Sequence, residues 1–467
     1  MTTAILADRA GARPQPATLR VGLDVLRVLL GLTIVLNVSR IHQHFHIVAL
    51  LRPALLLVAL TGLFAFLNPK YLSTDGLLRT KQARLIVALG LFACMSTPFG
   101  LSFGNSAKFI LESYSKVLLA ALLIVAGIRR TRDLYTLVWF YVAACGILSY
   151  LGIFVFGMSK AGNTVRLSDL YTFDANDIGA VLLPGLALTL LIIQSSKGWA
   201  RMTACVILAG IGVTIARSGS RGAFLGLLVT GAALLVLAKG IPIAKRVAIV
   251  AVTAVTLVFA APQGYWDQMA TLLSPKEDYN WTSSEGRKQI TLRGISYMLS
   301  YPVFGLGINN FVRAECIDPV SDKVRFHQAS TGIRCTPAHN STLQAAAELG
   351  IPGLTLWLML TLGGILGMLR LRRQLPAEWL HGDEEERFLH HSTTYFVVAM
   401  VGFLVTSFFV TFAYIDIVYI LAAFMAGLQV SVAGRLAQGG GQQQVVVPSA
   451  GPRGRQVSYR RSVALGR

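Results

Sequence analysis

The sequence predicts an all-α polytopic membrane protein, and three observations carry that prediction. Charged residues make up 14% of the 467-residue chain and hydrophobic residues 54%, against about 25% charged in soluble domains. Apolar runs recur at lengths that cross a hydrocarbon core of ~30 Å. Basic residues lie in short clusters between those runs, which is how topology is encoded. The formal net charge of +20 therefore points to a membrane and excludes nucleic acid as the expected partner.

About twelve transmembrane helices are expected from run length. In order they are 21–39, 47–67, 84–103, 109–128, 134–157, 176–194, 200–217, 222–238, 247–264, 341–369, 392–410 and 412–432, the last two joined by a tight turn. Residues 1–20 are polar, with Arg9, Arg13 and Arg20 and no apolar core, so a cytoplasmic N-terminal segment and no removable signal peptide are expected. The first run is long enough to remain a span. Between spans the charge alternates. Lys70/Arg79/Lys81, Arg129/Arg130/Arg132, Lys197/Arg201, Lys239/Lys245/Arg246 and Arg370/Arg372/Arg373 all fall on one side with the N-terminal arginines and the tail from Arg435 to Arg467. The positive-inside rule puts that side, and both termini, in the cytoplasm. One large loop, 265–338 between the ninth and tenth spans, then lies outside, followed by spans within 339–432. The tail 433–467, with its Gly439-Gly440-Gly441 and Gln442-Gln443-Gln444 runs, reads as disordered and cytoplasmic. The Glu384-Glu385-Glu386 stretch reads as a solvated connection.

Of the five cysteines, Cys94, Cys145 and Cys205 sit in apolar runs as packing residues, whereas Cys316 and Cys335 share the outer loop. In an oxidising compartment that pair can form a disulfide; two free thiols are the alternative.

Several polar residues lie where topology does not explain them. Arg217 and Arg221 occupy the outer turn between spans seven and eight. They either snorkel to lipid phosphates or bind an anion, with Arg221 at a helix N-terminus that itself favours negative charge. Arg287 opens a helical stretch that Pro302 ends. Arg293 lies about 120° from it around the wheel and faces a different partner, for which a surface salt bridge is the favoured reading. Lys116 and Glu112, four apart inside span four, read as a structural ion pair or as lining of a substrate groove, because unpaired charge there is expensive. Arg52 reads as snorkelling. His42, His44 and His46 alternate in the first outer loop, a weak metal signal without a carboxylate or cysteine nearby. The loop ends on His339-Asn340, and a histidine there can titrate near neutral pH.

The segment HNSTLQAAAELGIPG runs His339-Asn340, nine residues, Gly350, two residues, Gly353. It resembles the signature of the O-antigen ligase / O-antigen polymerase superfamily. Ser220-Arg221-Gly222-Ala223 is similar to the family's Ser-Arg-Gly segment. Arg287 ahead of Pro302-Val303-Phe304-Gly305-Leu306-Gly307 is similar to its loop arginine and Pro-x-x-Gly-x-Gly turn. Asp174-Ala175-Asn176 resembles its Asp-Pro-Asn segment, with alanine for proline, and Thr291 stands where many members carry tryptophan. The likeness covers roughly 80–430 and does not separate lipid A-core ligases from polymerases or protein O-oligosaccharyltransferases.

The resemblance implies a GT-C-like fold in the bacterial inner membrane. It implies transfer of a glycan from an undecaprenyl-diphosphate donor to a lipid A-core or other glycan acceptor at the periplasmic face, with inversion, no metal and no cofactor. Membrane lipids are the other expected partners. Arg221 and Arg287 are the expected diphosphate-binding pair and His339 the catalytic residue, as general base or as a phosphate ligand. Arg217, Arg293, Asn340, Asn176 and Lys116 are candidates for the surrounding shell, Asn340 as a helix cap. The non-enzyme alternative, a transporter of lipid-linked glycan, predicts midplane charges and a repeat between halves; no internal repeat is visible.

Overall fold

A computed structural model describes residues 19–161, 164–168, 170–238, 240, 242–274, 286–316 and 335–442. Among these, nine helices are long and apolar enough to cross a membrane and three shorter ones are apolar. The chain forms α1 (Val25–Ser39), α2 (Pro53–Leu67), α3 (Lys81–Phe99), α4 (Phe103–Gly127), α5 (Thr131–Val155), α6 (Ala175–Ser195) and α7 (Gly198–Ser218). It continues with α8 (Arg221–Leu237), α9 (Ile243–Ala260), the amphipathic loop helix α10 (Arg287–Ser300), α11 (Ser341–Gln374), α12 (Glu384–Ser407) and α13 (Asp416–Gln442). Apart from α10, each falls on an expected apolar run.

Burial sorts these helices into a core and a periphery. The apolar window of α6 is 83% buried and those of α12 and α13 are 78% buried, whereas that of α9 is 6% buried. The α12 helix packs against α6, α8 and α11, and α1 against α5, while α9 leans chiefly on α7 and α8. Trp357, Tyr395, Phe396, Phe403 and Phe424 fill the interior. An all-round apolar helix such as α9 with only Leu257 buried has its exposed faces matched to lipid.

Several boundaries differ from the sequence expectation for physical reasons. Pro53 starts α2 after Arg52 adopts a left-handed φ of 48°, so 46–50 forms a separate short helix. At the other end of the chain, α13 runs to Gln442, so 433–442 is helix and not tail; residues 443–467 lie outside the described residues, as do 1–18. The segment Ile110–Tyr114 inside α4 is a π turn. Its wider winding means that residues four apart no longer stack. The expected Glu112–Lys116 ion pair is therefore not formed: Glu112 is exposed and Lys116 turns inward. The Glu384 stretch is not a passive connection either. Glu384 accepts from Lys197 Nζ at 2.9 Å and from Leu19 N at 3.0 Å, and Asp383 and Glu386 both receive Arg435. With the Arg27–Asp133 pair at 2.8 Å, these contacts tie together the basic end of the bundle. A two-stranded antiparallel hairpin, β1 (Met158–Ala161) with β2 (Thr164–Leu167), projects at the opposite end.

Candidate active site

At the end away from the basic clusters, α6, α8 and α11 begin and α7 and α12 finish. Helix starts leave backbone N–H groups that need partners, and short polar side chains supply them. Asp174 accepts from Asn176 N at 2.6 Å and Asp177 N at 2.9 Å; Ser220 accepts from Ala223 N at 3.2 Å; Asn340 accepts from Leu343 N at 3.0 Å. Ser220 also donates to Asn176 Oδ1 at 2.9 Å. That bond fixes the start of α6 against the start of α8 and places Asn176 beside the Arg221 turn.

Arg221, Arg287 and His339 come together around the turn that follows α12. Arg221 Nη1 donates to Thr271 Oγ1 at 2.9 Å. Phe409 packs so closely on Gly222 that a Cβ there would lie 2.7 Å from the ring, and the Arg287 guanidinium sits 5.4 Å from the same ring's centroid. One aromatic ring thus separates Arg287 from the first turn of α8. His339 adopts a left-handed φ of 45° and its N–H donates to Thr411 Oγ1 at 3.0 Å, two residues beyond Phe409. Burial pushes the His339 imidazole below its ordinary range; the Arg287 charge pushes it the same way, and Asp174 opposes them. A lowered histidine is neutral at neutral pH and can accept a proton.

Arg166, on β2, is a third cation beside Arg221 and Arg287 and one that sequence reasoning missed. Gly219 lies against it, so close that a Cβ on that glycine would come within 3.2 Å of Arg166 Cβ. Burial lowers the Arg166 guanidinium from its usual value, Asp174 opposes that, and Arg221 adds to it, which places Arg166 within electrostatic reach of both. The hairpin is moored by Val165 N donating to Gln263 O at 3.1 Å and Thr164 Oγ1 donating to Gly264 O at 3.1 Å. The only sequence signal was the Gly162-Asn163 pair between two short runs, a hairpin-turn composition.

The other sequence candidates divide. Arg217 lies at the end of α7, and its buried Nε has no hydrogen-bond partner among the described residues. Arg293 turns away to Glu315, with Nε 3.0 Å from both carboxylate oxygens, and Tyr297 donates to the same carboxylate at 2.8 Å. Lys116 lines a separate cavity with Arg40 and Asp416. Cys316 and Cys335 are joined in a disulfide with Cα atoms 4.9 Å apart; residues 317–334 between them lie outside the described residues. In the first outer loop, His44 Nδ1 meets the Tyr171 hydroxyl.

A second missed residue, Glu348, holds the glycine turn in place. Its buried carboxylate accepts from Asn309 N at 2.8 Å and Phe311 N at 2.9 Å. Beside it Gly350 leaves helical geometry at φ 64°, and Ile351 N donates to Pro302 O at 2.8 Å. Gly305, at φ 64°, approaches so closely that a Cβ would lie 2.4 Å from the Glu348 carbonyl carbon. The signature glycines of both segments are thus the two sides of one contact.

Fold and site together define a polytopic helical membrane protein with a cationic, histidine-bearing centre at one end of its bundle. Residues 204–358 match the family model described as O-antigen ligase, a stretch that contains Arg217, Arg221, Arg287, Arg293, His339 and Asn340. The match supports the O-antigen ligase superfamily and, with it, a glycosyltransferase-like enzyme of ligase or polymerase type that works on a lipid-linked glycan and an acceptor. No curated protein matches the chain.

Proposed function

We propose that the protein is an inverting GT-C-type glycosyltransferase that moves an O-antigen-like glycan from undecaprenyl diphosphate to an acceptor hydroxyl, as a lipid A-core ligase. The nine long and three shorter apolar helices all cross the bacterial inner membrane, both termini are cytoplasmic, and the centre works at the periplasmic face. The observation that carries the reading is the grouping of His339 with Arg287 and Arg221 around Phe409 and Thr411.

The chemistry follows from those groups. The acceptor hydroxyl gives its proton to the neutral His339 imidazole as its oxygen attacks the anomeric carbon. The bond from that carbon to the diphosphate oxygen breaks, and the diphosphate leaves with the electron pair. Arg221 and Arg287 take the charge that develops on it, each as a planar fork suited to phosphate. Arg166 adds positive potential on the same side. Asp174 steadies the imidazolium while it carries the proton. The second reading is a polymerase that extends a lipid-linked chain, which needs the same centre and a different acceptor; a protein hydroxyl is a third acceptor class. A transporter is disfavoured because these cations lie at helix ends and not at the midplane.

Reconstitution with undecaprenyl-diphosphate glycan tests this directly. Transfer to lipid A-core is expected at the same rate with and without chelator. Extension of the donor alone would make the protein a polymerase, and loss of activity on chelation would remove the metal-independent mechanism.

A further inference from the structure

A separate pocket that holds Arg40, Lys116 and Asp416 lies beside the 408–415 turn. It encloses about 220 Å³, between the ends of α1 and α2, the middle of α4 and the start of α13, and Arg40, Ser113, Lys116 and Asp416 line its polar part. Val58 and Phe109 line its apolar part. The wall that separates it from His339 is Phe173 and the turn. Arg40 stacks on the Phe173 ring at 3.9 Å, Phe173 packs on Phe412 at 6.3 Å, and Thr411 in the same turn receives the His339 N–H.

The charges in this pocket are unequal in their satisfaction. Arg40 interacts with two carboxylates, Asp416 and Asp177, and contacts the Thr172 hydroxyl. Lys116 feels the Asp416 charge across the pocket but makes no hydrogen bond or close ion pair among the described residues. It stands inside a membrane helix, where an ammonium without a close partner is costly. The π turn Ile110–Tyr114 immediately precedes it. Such turns are rare overall and frequent at functional sites; here the turn breaks the Glu112 register, and Lys116 lines the pocket. A cation kept at that cost, beside the Ser113 hydroxyl and the apolar Ala54, Val58 and Phe109, suits the anionic headgroup of an amphiphile.

We propose that this pocket binds the phosphate of an amphiphile, with Lys116 as its principal ligand, and that this amphiphile is the acceptor glycolipid docking across the turn from the donor. The acceptor assignment rests on the transferase reading above; the phosphate site does not. The same chemistry is offered by a bulk anionic phospholipid, so the test separates the two.

Purified full-length protein and its Lys116→Gln and Lys116→Arg variants are titrated in neutral-lipid nanodiscs with lipid A, dephosphorylated lipid A and phosphatidylglycerol, with bound lipid read by native mass spectrometry. Removing a charge from a span eases insertion, so Lys116→Gln is expected to fold. It should bind lipid A about tenfold more weakly than wild type, the scale of one charge-assisted contact. Lys116→Arg should restore binding, and dephosphorylated lipid A should bind wild type and Lys116→Gln alike. If only phosphatidylglycerol responds to Lys116→Gln, the phosphate site stands and its occupant is bulk lipid. Unchanged binding of every lipid, or equal loss with dephosphorylated lipid A, overturns the site. None of these readouts requires transfer, so they hold or fail apart from the enzyme assignment.

Discussion

His339 illustrates how a single side chain is tuned by what surrounds it. Its backbone takes a positive φ and donates to Thr411, and its ring is half-buried within reach of the Arg287 charge. Burial and the Arg287 charge both disfavour the imidazolium. The sign follows: a base with a lowered pKa stays neutral, and active, to lower pH. The acid limb of the transfer rate is therefore expected to have its midpoint below 6.5, the ordinary histidine value. In the residual activity of Arg287→Gln that midpoint should rise, because one of the two lowering causes is gone. A pH–rate profile of both proteins checks this, and a midpoint that falls or stays fixed would remove His339 as the titrating base. His339, Arg221 and Arg287 were legible in the sequence because each sits in a local pattern. Arg40, Arg166 and Glu348 were not. Arg40 and Arg166 come from short loops whose residues acquire a shared partner only after the helices assemble. Glu348 reads as one more polar residue in an apolar run until the 302–311 loop folds onto it.

At the scale of elements, the described parts of the outer loop dock onto the helix bundle. The α10 helix presents Arg287 to Phe409 on one face and Arg293 to Glu315 on another. Wheel geometry predicted that division, and it assigns the two arginines different tasks. Arg293→Ala should slow transfer less than Arg287→Ala, and its defect should track a loosened loop. Limited proteolysis and steady-state rates on the two variants separate these effects, and the reverse ranking would mean that Arg293 is the diphosphate ligand. The glycine turn that follows is pinned by Glu348 and by the break at Gly350, so the His339 helix and the arginine helix share one rigid joint. Apolar run length located every apolar helix. Helical spacing failed at Ile110–Tyr114, where a π turn removes the 3.6-residue repeat on which the Glu112–Lys116 expectation rested.

At the scale of the molecule, polarity is divided between the two ends of the bundle. Acidic residues at the basic end are used to clamp helices together, through Glu384, Glu386, Asp383 and Asp133. The opposite end gathers Arg166, Arg221, Arg287 and His339, with Asp174 within electrostatic reach of Arg166 and His339. Charge alternation made the two ends visible from the sequence; the convergence of three distant segments on the turn that holds Phe409 and Thr411 was not, because nothing local encodes which loops meet. The most direct test of the central claim is single-turnover transfer from undecaprenyl-diphosphate glycan by purified wild type, His339→Ala and Arg221→Ala, each first shown to be folded and membrane-inserted. The account predicts that each variant loses about 10²-fold or more in rate, the range for removing a general base or an electrostatic stabiliser. Transfer at the wild-type rate by either folded variant would contradict it.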